Sequence, residues 1–351
     1  MVKIKVAGKI YYPTILLLRI IGSPFVPNPY QQNVTNLRQL YFIAEANKIL
    51  LTYLNTVNPQ ERKRLPEYDY HCSRLHRLIE ILVEISKLFD EKGINYVVFK
   101  TLRPYPEDVA DIDVLSMGSH SDYKKMVDVL EENGYLLMER GAYCTTFQDY
   151  KTRFKTELMI DVYDEISVSH LIYLDKHKLS HYTAEKELPM GQAVRVFSPE
   201  AELLVTIVHS AIKENQYILA EYYATLHYLA LMDQHAIERL IYLVRENKLV
   251  NAFRWHLTIT ATLHKLAFDL IPEKLSNLLS KLGGLWSRAY RQVFESMHPP
   301  YKCDPLTLMS IFREKIQDGV FRRSLCRQTL SLPTRNFTKR LLTRLMNMLT
   351  I

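Results

Sequence analysis

No stretch of this 351-residue chain approaches the ~18–20 apolar residues needed to span a bilayer. The nearest candidate, Ile15–Leu18 with Ile20 and Ile21, is short and broken by Arg19. The first residues lack the order of a secretory signal with a small-residue cleavage site, so a cytoplasmic protein is expected. Cysteine is scarce and scattered: Cys72, Cys144, Cys303 and Cys326 form no CxxC pair and have no histidine at ligand spacing. That pattern argues against a zinc site or a disulfide framework and leaves buried or idle thiols. No GxSxG elbow, GxxxxGK(S/T) loop or GxGxxG fingerprint occurs. Acyl-transfer, Walker-type and dinucleotide-binding readings therefore find no support. Internal repeats and low-complexity segments are also missing.

Acidic residues run out after Asp318, while Arg322, Arg323, Arg327, Arg335, Lys339, Arg340 and Arg344 follow it. Removing those seven from the 45 basic residues leaves 38, equal to the 38 acidic ones, so the last 33 residues carry the whole net charge of +7. A charge-balanced body thus bears a basic tail. With 48% hydrophobic and 24% charged residues the body has a globular composition, and its length allows two or three domains.

The chain divides by pattern. Residues 1–67 read as an accessory segment: a loosely alternating Met1–Tyr12, a proline-marked loop, a helix over Leu37–Leu54 and a charged connector, Asn58–Arg64. Leu75, Leu78, Ile79, Leu82, Ile85 and Phe89 recur at helical spacing, with Gly93 as the stop. Ile94–Phe99 is a β-branched and aromatic strand, and Asp111–Leu115 a second one. Tyr123, Met126, Val127 and Leu130 predict a helix ending at Asn133-Gly134. Extended stretches follow at Tyr135–Glu139, Ala142–Phe147 and Glu157–Tyr163. Ser198-Pro199-Glu200 then opens an all-helical region. The expected class is α+β, with a small mixed-sheet core (68–197) between a helical N-terminal segment (1–67) and a helical C-terminal domain (198–318), and then a basic amphipathic tail (319–351).

The sharpest local feature is Asp111-Ile112-Asp113. Residues two apart in a strand share a face, so two carboxylates stand side by side on a largely apolar strand. They repel each other and resist burial, and a divalent cation relieves that conflict. Asp161, inside the apolar run Leu158–Tyr163, supplies a third acid, with Asp164 and Glu165 behind it as reserves. Hard carboxylate oxygens suit Mg²⁺ or Mn²⁺, with nucleotide phosphates completing the shell.

On these residues, Gly93–Ile166 resembles the DNA polymerase β-like nucleotidyltransferase superfamily, above all its poorly characterised stand-alone members. Asp111 and Asp113 match the family's paired acids and Asp161 its third. Phe197–Leu204 with His209 looks like the opening of the helical region that follows the core. The resemblance implies a metal-dependent transfer of a nucleoside monophosphate from an NTP to an acceptor hydroxyl, with two Mg²⁺ ions held by the three acids. The family's glycine pair after the first strand is absent; Phe99-Lys100-Thr101-Leu102-Arg103 stands there instead. Lys100, Thr101 and Arg103 are the candidates to hold phosphate through side chains, unless the two cations are merely solvated loop charges.

Other signals are weaker. Lys151, Arg153 and Lys155 could meet an acceptor or simply decorate a hairpin. His209 and the tyrosines Tyr222, Tyr223 and Tyr228 read as helical core. Phe337, Leu341, Leu345, Met348 and Leu349 beside the basic tail residues could dock on the body, lie on an acidic membrane surface or contact RNA. The leading expectation is a nucleotidyltransferase whose acceptor is an RNA end, a protein, or a small or carbohydrate molecule. The alternative is a silent binding or regulatory module of the same fold, with RNA binding through its tail as one form of it.

Overall fold

The computed structural model describes residues 4–6, 9–26, 37–62, 65–107, 109–149, 158–189 and 191–331. The N-terminal part forms a hairpin, β1 (Ile4–Val6) with β2 (Lys9–Tyr11), then α1 (Pro13–Ile21), α2 (Leu37–Ala46), α3 (Leu50–Leu54) and α4 (Pro59–Arg62). The single helix expected over 37–54 is broken. Lys48 takes a left-handed φ of 55°, which ends α2 and turns the chain into α3. The break is held from outside, because Asn47 accepts backbone N–H bonds from Leu219 and Ala220.

The core begins with α5 (Pro66–Glu91), which has proline and two acids in its first turn, where they suit the helix dipole. Then come β3 (Tyr96–Phe99), β4 (Asp111–Ser116), α6 (His120–Glu132), β5 (Leu136–Arg140), β6 (Cys144–Gln148) and β7 (Met159–Tyr163). Gly93, past the end of α5, has the left-handed φ of +63° that a helix stop requires. Four strands follow that the sequence pattern did not reveal: β8 (Ile166–Val168), β9 (Leu171–Leu174), β10 (Thr183–Glu187) and β11 (Ala193–Phe197). Seven strands form one mixed sheet in the order β10-β11-β3-β4-β7-β6-β5. The pairs β11–β3 and β4–β7 are parallel, and the other neighbours are antiparallel.

The helical region comprises α7 (Pro199–Val208), a π-helical turn (His209–Glu214), α8 (Leu219–Leu231), α9 (Gln234–Glu246), α10 (Val250–Phe268), α11 (Glu273–Lys281), α12 (Ser287–Ser296), α13 (Pro305–Lys315) and α14 (Gly319–Ser331). It is interrupted by one short ladder, Gln216–Tyr217 against Tyr301–Lys302. α14 packs on β9, with Phe321 buried and the Ser324 hydroxyl accepting from Ile172 N.

Strand alternation places the sheet between two apolar cores. Tyr96, Val98, Ile112, Val114, Ile160 and Val162 face α5 and α6. Val97, Phe99, Leu115 and Tyr163 face the opposite way, into a core shared with the helical region and α1–α3. Asp111, Asp113 and Asp161 have the parity of this second set and so look toward the helical region. The fold therefore buries both faces of the central strands, leaves β5 exposed at the edge, and sets the acids on the face toward the helical region.

Candidate active site

The register across the centre of the sheet assembles the acids. β4 and β7 run parallel with Asp113 opposite Asp161, and Thr146 of β6 continues the row beyond Asp161. The Thr146 hydroxyl donates to Asp161 Oδ1 at 2.6 Å and the Tyr163 hydroxyl to Oδ2 at 3.2 Å. Both oxygens of the third acid are thereby oriented. Asp111 lies one step toward the open end of β4, solvent-facing yet closely surrounded.

Electrostatics separate the three. Burial first, then Asp113 and Asp161, push the Asp111 carboxyl up. Burial and then Asp113 raise Asp161, against the pull of Thr146, Lys213 and Tyr163. Burial also acts upward on Asp113, but Lys100 and Lys213 outweigh it and its carboxyl sits below the ordinary value. Two carboxylates are thus held against the field of the third, and only one is compensated by a cation at contact.

That cation is Lys100. Its Nζ lies 3.0 Å from Asp113 Oδ2 and 3.4 Å from His209 Nδ1, over the Phe99 ring at 5.0 Å from the centroid. The residue has φ +57°, the left-handed conformation that glycine adopts freely and other residues only at roughly 1–2 kcal/mol. The turn keeps a glycine-like backbone without a glycine. The buried Glu202 carboxylate, in the first turn of α7, accepts the Lys100 N–H through both oxygens, at 3.3 and 3.1 Å. Burial raises Glu202 to about 7, opposed by that amide and by Arg103.

The other two residues of the turn point elsewhere. The Thr101 hydroxyl accepts from Asp113 N at 2.9 Å and donates to Phe99 O at 3.2 Å, bracing the turn against β4. The Arg103 guanidinium is engaged with Thr206 Oγ1 at 3.1 Å and with Glu107 at 3.7 Å, in a buried position. The structure therefore brings Asp111, Asp113, Asp161 and Lys100 together, while Thr101 and Arg103 serve the frame around them.

The facing wall comes from the π-helical turn, a local widening that often accompanies functional sites. His209 reaches Lys100 and the Tyr173 hydroxyl through Nδ1, and Glu214 at 3.2 Å through Nε2. Burial, followed by the Lys100 charge, lowers it to about 3, so it stays a neutral imidazole. It is thus a polar bridge rather than a member of the apolar core. Lys213, beside Glu214 in the same turn, draws Asp113 and Asp161 down, and the exposed Lys48 does the same for Asp111. Lys48, Lys213, Glu202, Thr146 and Tyr163 were not singled out from the sequence. Only Thr146 left a local trace, in the polar alternation of Cys144, Thr146 and Gln148.

Among the described residues, no three His, Cys, Asp or Glu side chains gather closely enough to hold a metal ion alone. The reserve acids belong elsewhere. Asp164 meets His120 Nδ1 at 2.6 Å and Lys176 Nζ at 3.3 Å, and Glu165 lies 4.0 Å from the same lysine. The four cysteines are free thiols. Lys151, Arg153, Lys155 and the apolar stripe Phe337–Leu349 lie outside the described residues. No described helix is long and apolar enough to cross a membrane.

The profile of a family described as uncharacterised nucleotidyltransferases matches residues 53–263 of the chain. Its span takes in the whole acid-bearing sheet together with α7, the π-helical turn and α8. Among solved structures, the chain is similar to the antibiotic-resistance factor ANT(2'')-Ia, with 13% identity and a TM-score of 0.33 over 46% of this chain and 88% of that one. It is also similar to an antigenic nucleotidyltransferase-like protein from Paracoccidioides brasiliensis, with 15% identity and a TM-score of 0.32 over 48% and 88%. The Megavirus polyadenylate synthase matches with 12% identity and a TM-score of 0.22 over 90% of this chain and 61% of that one. No curated protein matches.

Proposed function

The chain belongs to this family of uncharacterised nucleotidyltransferases, and from that premise we propose that it moves a nucleoside monophosphate from an NTP to an acceptor hydroxyl at Asp111, Asp113 and Asp161, with Mg²⁺ or Mn²⁺. The observation that carries this reading is the in-register row Asp113–Asp161–Thr146, with Asp111 alongside on the same face. Three carboxylates on adjacent central strands disfavour one another's charge, and burial together with that repulsion raises Asp111 and Asp161. A structural role gives no return for that repulsion, whereas a hard divalent cation converts it into binding energy. The donor set therefore fits such an ion, held by Asp111 and Asp161 with Asp113 beside them and completed by substrate phosphate oxygens. When bound, it would neutralise charge on the phosphoryl group and acidify the acceptor hydroxyl.

The chain's own residues supply the rest. Lys213 and Lys48, on the rim, offer charge to the polyphosphate. Thr146 and Tyr163 hold Asp161 in one orientation, ready to accept the acceptor's proton on its carboxylate. The acceptor oxygen bonds to the α-phosphorus, the α–β anhydride breaks, and pyrophosphate leaves. Transfer of this type rests on positioning and charge. The candidate acceptors under this proposal are an RNA end, a protein hydroxyl, and a small or carbohydrate molecule.

One observation favours the second reading, a silent module of the same fold. The Lys100 amide, in the turn where the resemblance expects phosphate to be cradled, is already occupied by Glu202. The two readings separate in an assay of label transfer from each α-³²P NTP, with Mg²⁺ or Mn²⁺, to total RNA and to the protein itself. An enzyme transfers label as wild type and loses it as the Asp111→Ala, Asp113→Ala double variant. A silent module transfers none in either form.

A further inference from the structure

We propose that the Lys100 ammonium takes the place of one divalent cation in the acid centre, so that the protein uses a single metal ion where the resemblance implies two. This rests on the metal-dependent reading of the three acids and specifies its ion count. The charge balance points that way: three carboxylates and one contacting ammonium leave two negative charges, which one divalent ion neutralises. Geometry makes the lysine a fixture rather than a passing counter-ion. Its side chain is 9% exposed, its backbone is locked in the left-handed turn by Glu202, and its Nζ is held between Asp113 and the neutral His209. The Phe99 and Tyr163 rings, 5.0 and 5.8 Å from Nζ, shield it from water. Asp113 is thereby turned to an internal cation. Asp111 and Asp161 remain for the ion.

The test counts bound Mn²⁺ on the full chain by electron paramagnetic resonance of the free ion, without nucleotide and then with α,β-methylene-ATP. Wild type is compared with Lys100→Gly, which accepts the left-handed backbone, and with Lys100→Gln, which keeps the bulk without the charge. Thermal melting establishes that each variant is folded, and either one suffices. The expected result is one more Mn²⁺ per chain in the variants than in wild type. Equal counts in wild type and variants overturn the substitution of lysine for metal. An Asp161→Asn variant tests the layer beneath: it is expected to lose the wild-type ion. Should wild type and every Lys100 variant bind no Mn²⁺, or should Asp161→Asn leave the count unchanged, the metal reading itself falls and takes this proposal with it.

Discussion

Two buried lysines, Lys100 and Lys176, each meet an aspartate beside the same sheet, and the contrast between them separates the proposed site from a strut. Lys176 lies 3.3 Å from Asp164 Oδ1 and 2.6 Å from its backbone carbonyl, with its side chain 2% exposed. The second Asp164 oxygen is taken by His120, and the neighbouring Glu165 is pushed up to about 7 by burial, which leaves it easily neutral. Charge there closes on itself: one ammonium, one carboxylate and a second acid that can hold its proton. Around Lys100 it does not close. The ammonium answers Asp113, while burial and then the Asp113 charge hold the Asp111 and Asp161 carboxyls up. A closed ion cluster serves the fold, whereas an open one of fixed sign is the arrangement that our proposal assigns to binding the opposite charge.

The largest expected effect breaks the two apart by readout. Asp161→Asn should cut nucleotidyl transfer by roughly three orders of magnitude or more, the scale of losing a group that acts only in the transition state. Its melting temperature should stay level or rise, because a repelled carboxylate is removed. Asp164→Asn, three residues along, should do the reverse. It leaves the buried Lys176 short of its counter-charge, at about 3 kcal/mol. The melting temperature should then fall by several degrees, since one kcal/mol shifts it by roughly 2–4 °C in chains of about 150–250 residues and by somewhat less in a longer one. Calorimetric Mn²⁺ binding should be unaltered in that variant. If Asp164→Asn abolished metal binding while Asp161→Asn merely destabilised the fold, the assignment of site and strut would have to be exchanged.

How far the sequence disclosed this contrast follows from the range of the interactions. Asp111, Asp113 and Asp161 were legible because a carboxylate inside a β-branched run is locally anomalous, and period two sets its face. The α+β order was legible as far as β7 for the same reason. Strands β8 to β11 were not: the first three are short or mixed in composition, although β11, Ala193–Phe197, alternates plainly in retrospect. The break at Lys48 left no local sign, since it is imposed by residues 219 and 220, some 170 positions away. Glu202, Lys213 and the orientation of Lys100 are equally non-local. A lysine in a loop reads as solvated until the fold shows the acid it faces. The same gap explains Arg103, whose charge invited a phosphate role and whose partners are Glu107 and Thr206.

A smaller effect sharpens the comparison at the rim. Lys213 lowers Asp113 and Asp161 without closing their charge, a position suited to the phosphates of an incoming nucleotide. Lys213→Ala should raise the apparent KM for NTP about tenfold, ~1.4 kcal/mol, with kcat altered far less. A loss confined to kcat would instead tie Lys213 to the reacting groups.

The smallest effect tests the closed cluster through pH. The Glu165 carboxyl lies at about 7 in the folded chain, against an ordinary 4.5. Between those values the folded state keeps a proton that the unfolded chain has released. Stability contributed by this group therefore falls as pH rises from 4.5 to 7, and is flat above. Glu202 and Glu221 are raised to about 7 as well, so wild type alone would mix their slopes. The difference between wild type and Glu165→Gln isolates one of them. The variant should match wild type near pH 4.5 and exceed it at pH 8 by about 1–2 kcal/mol, since the side chain is 21% exposed and partly screened. Denaturant melts at the two pH values measure it. A constant difference across the range would mean that Glu165 stays ionised beside Lys176, and the second lysine's surroundings would then carry surplus negative charge like the first.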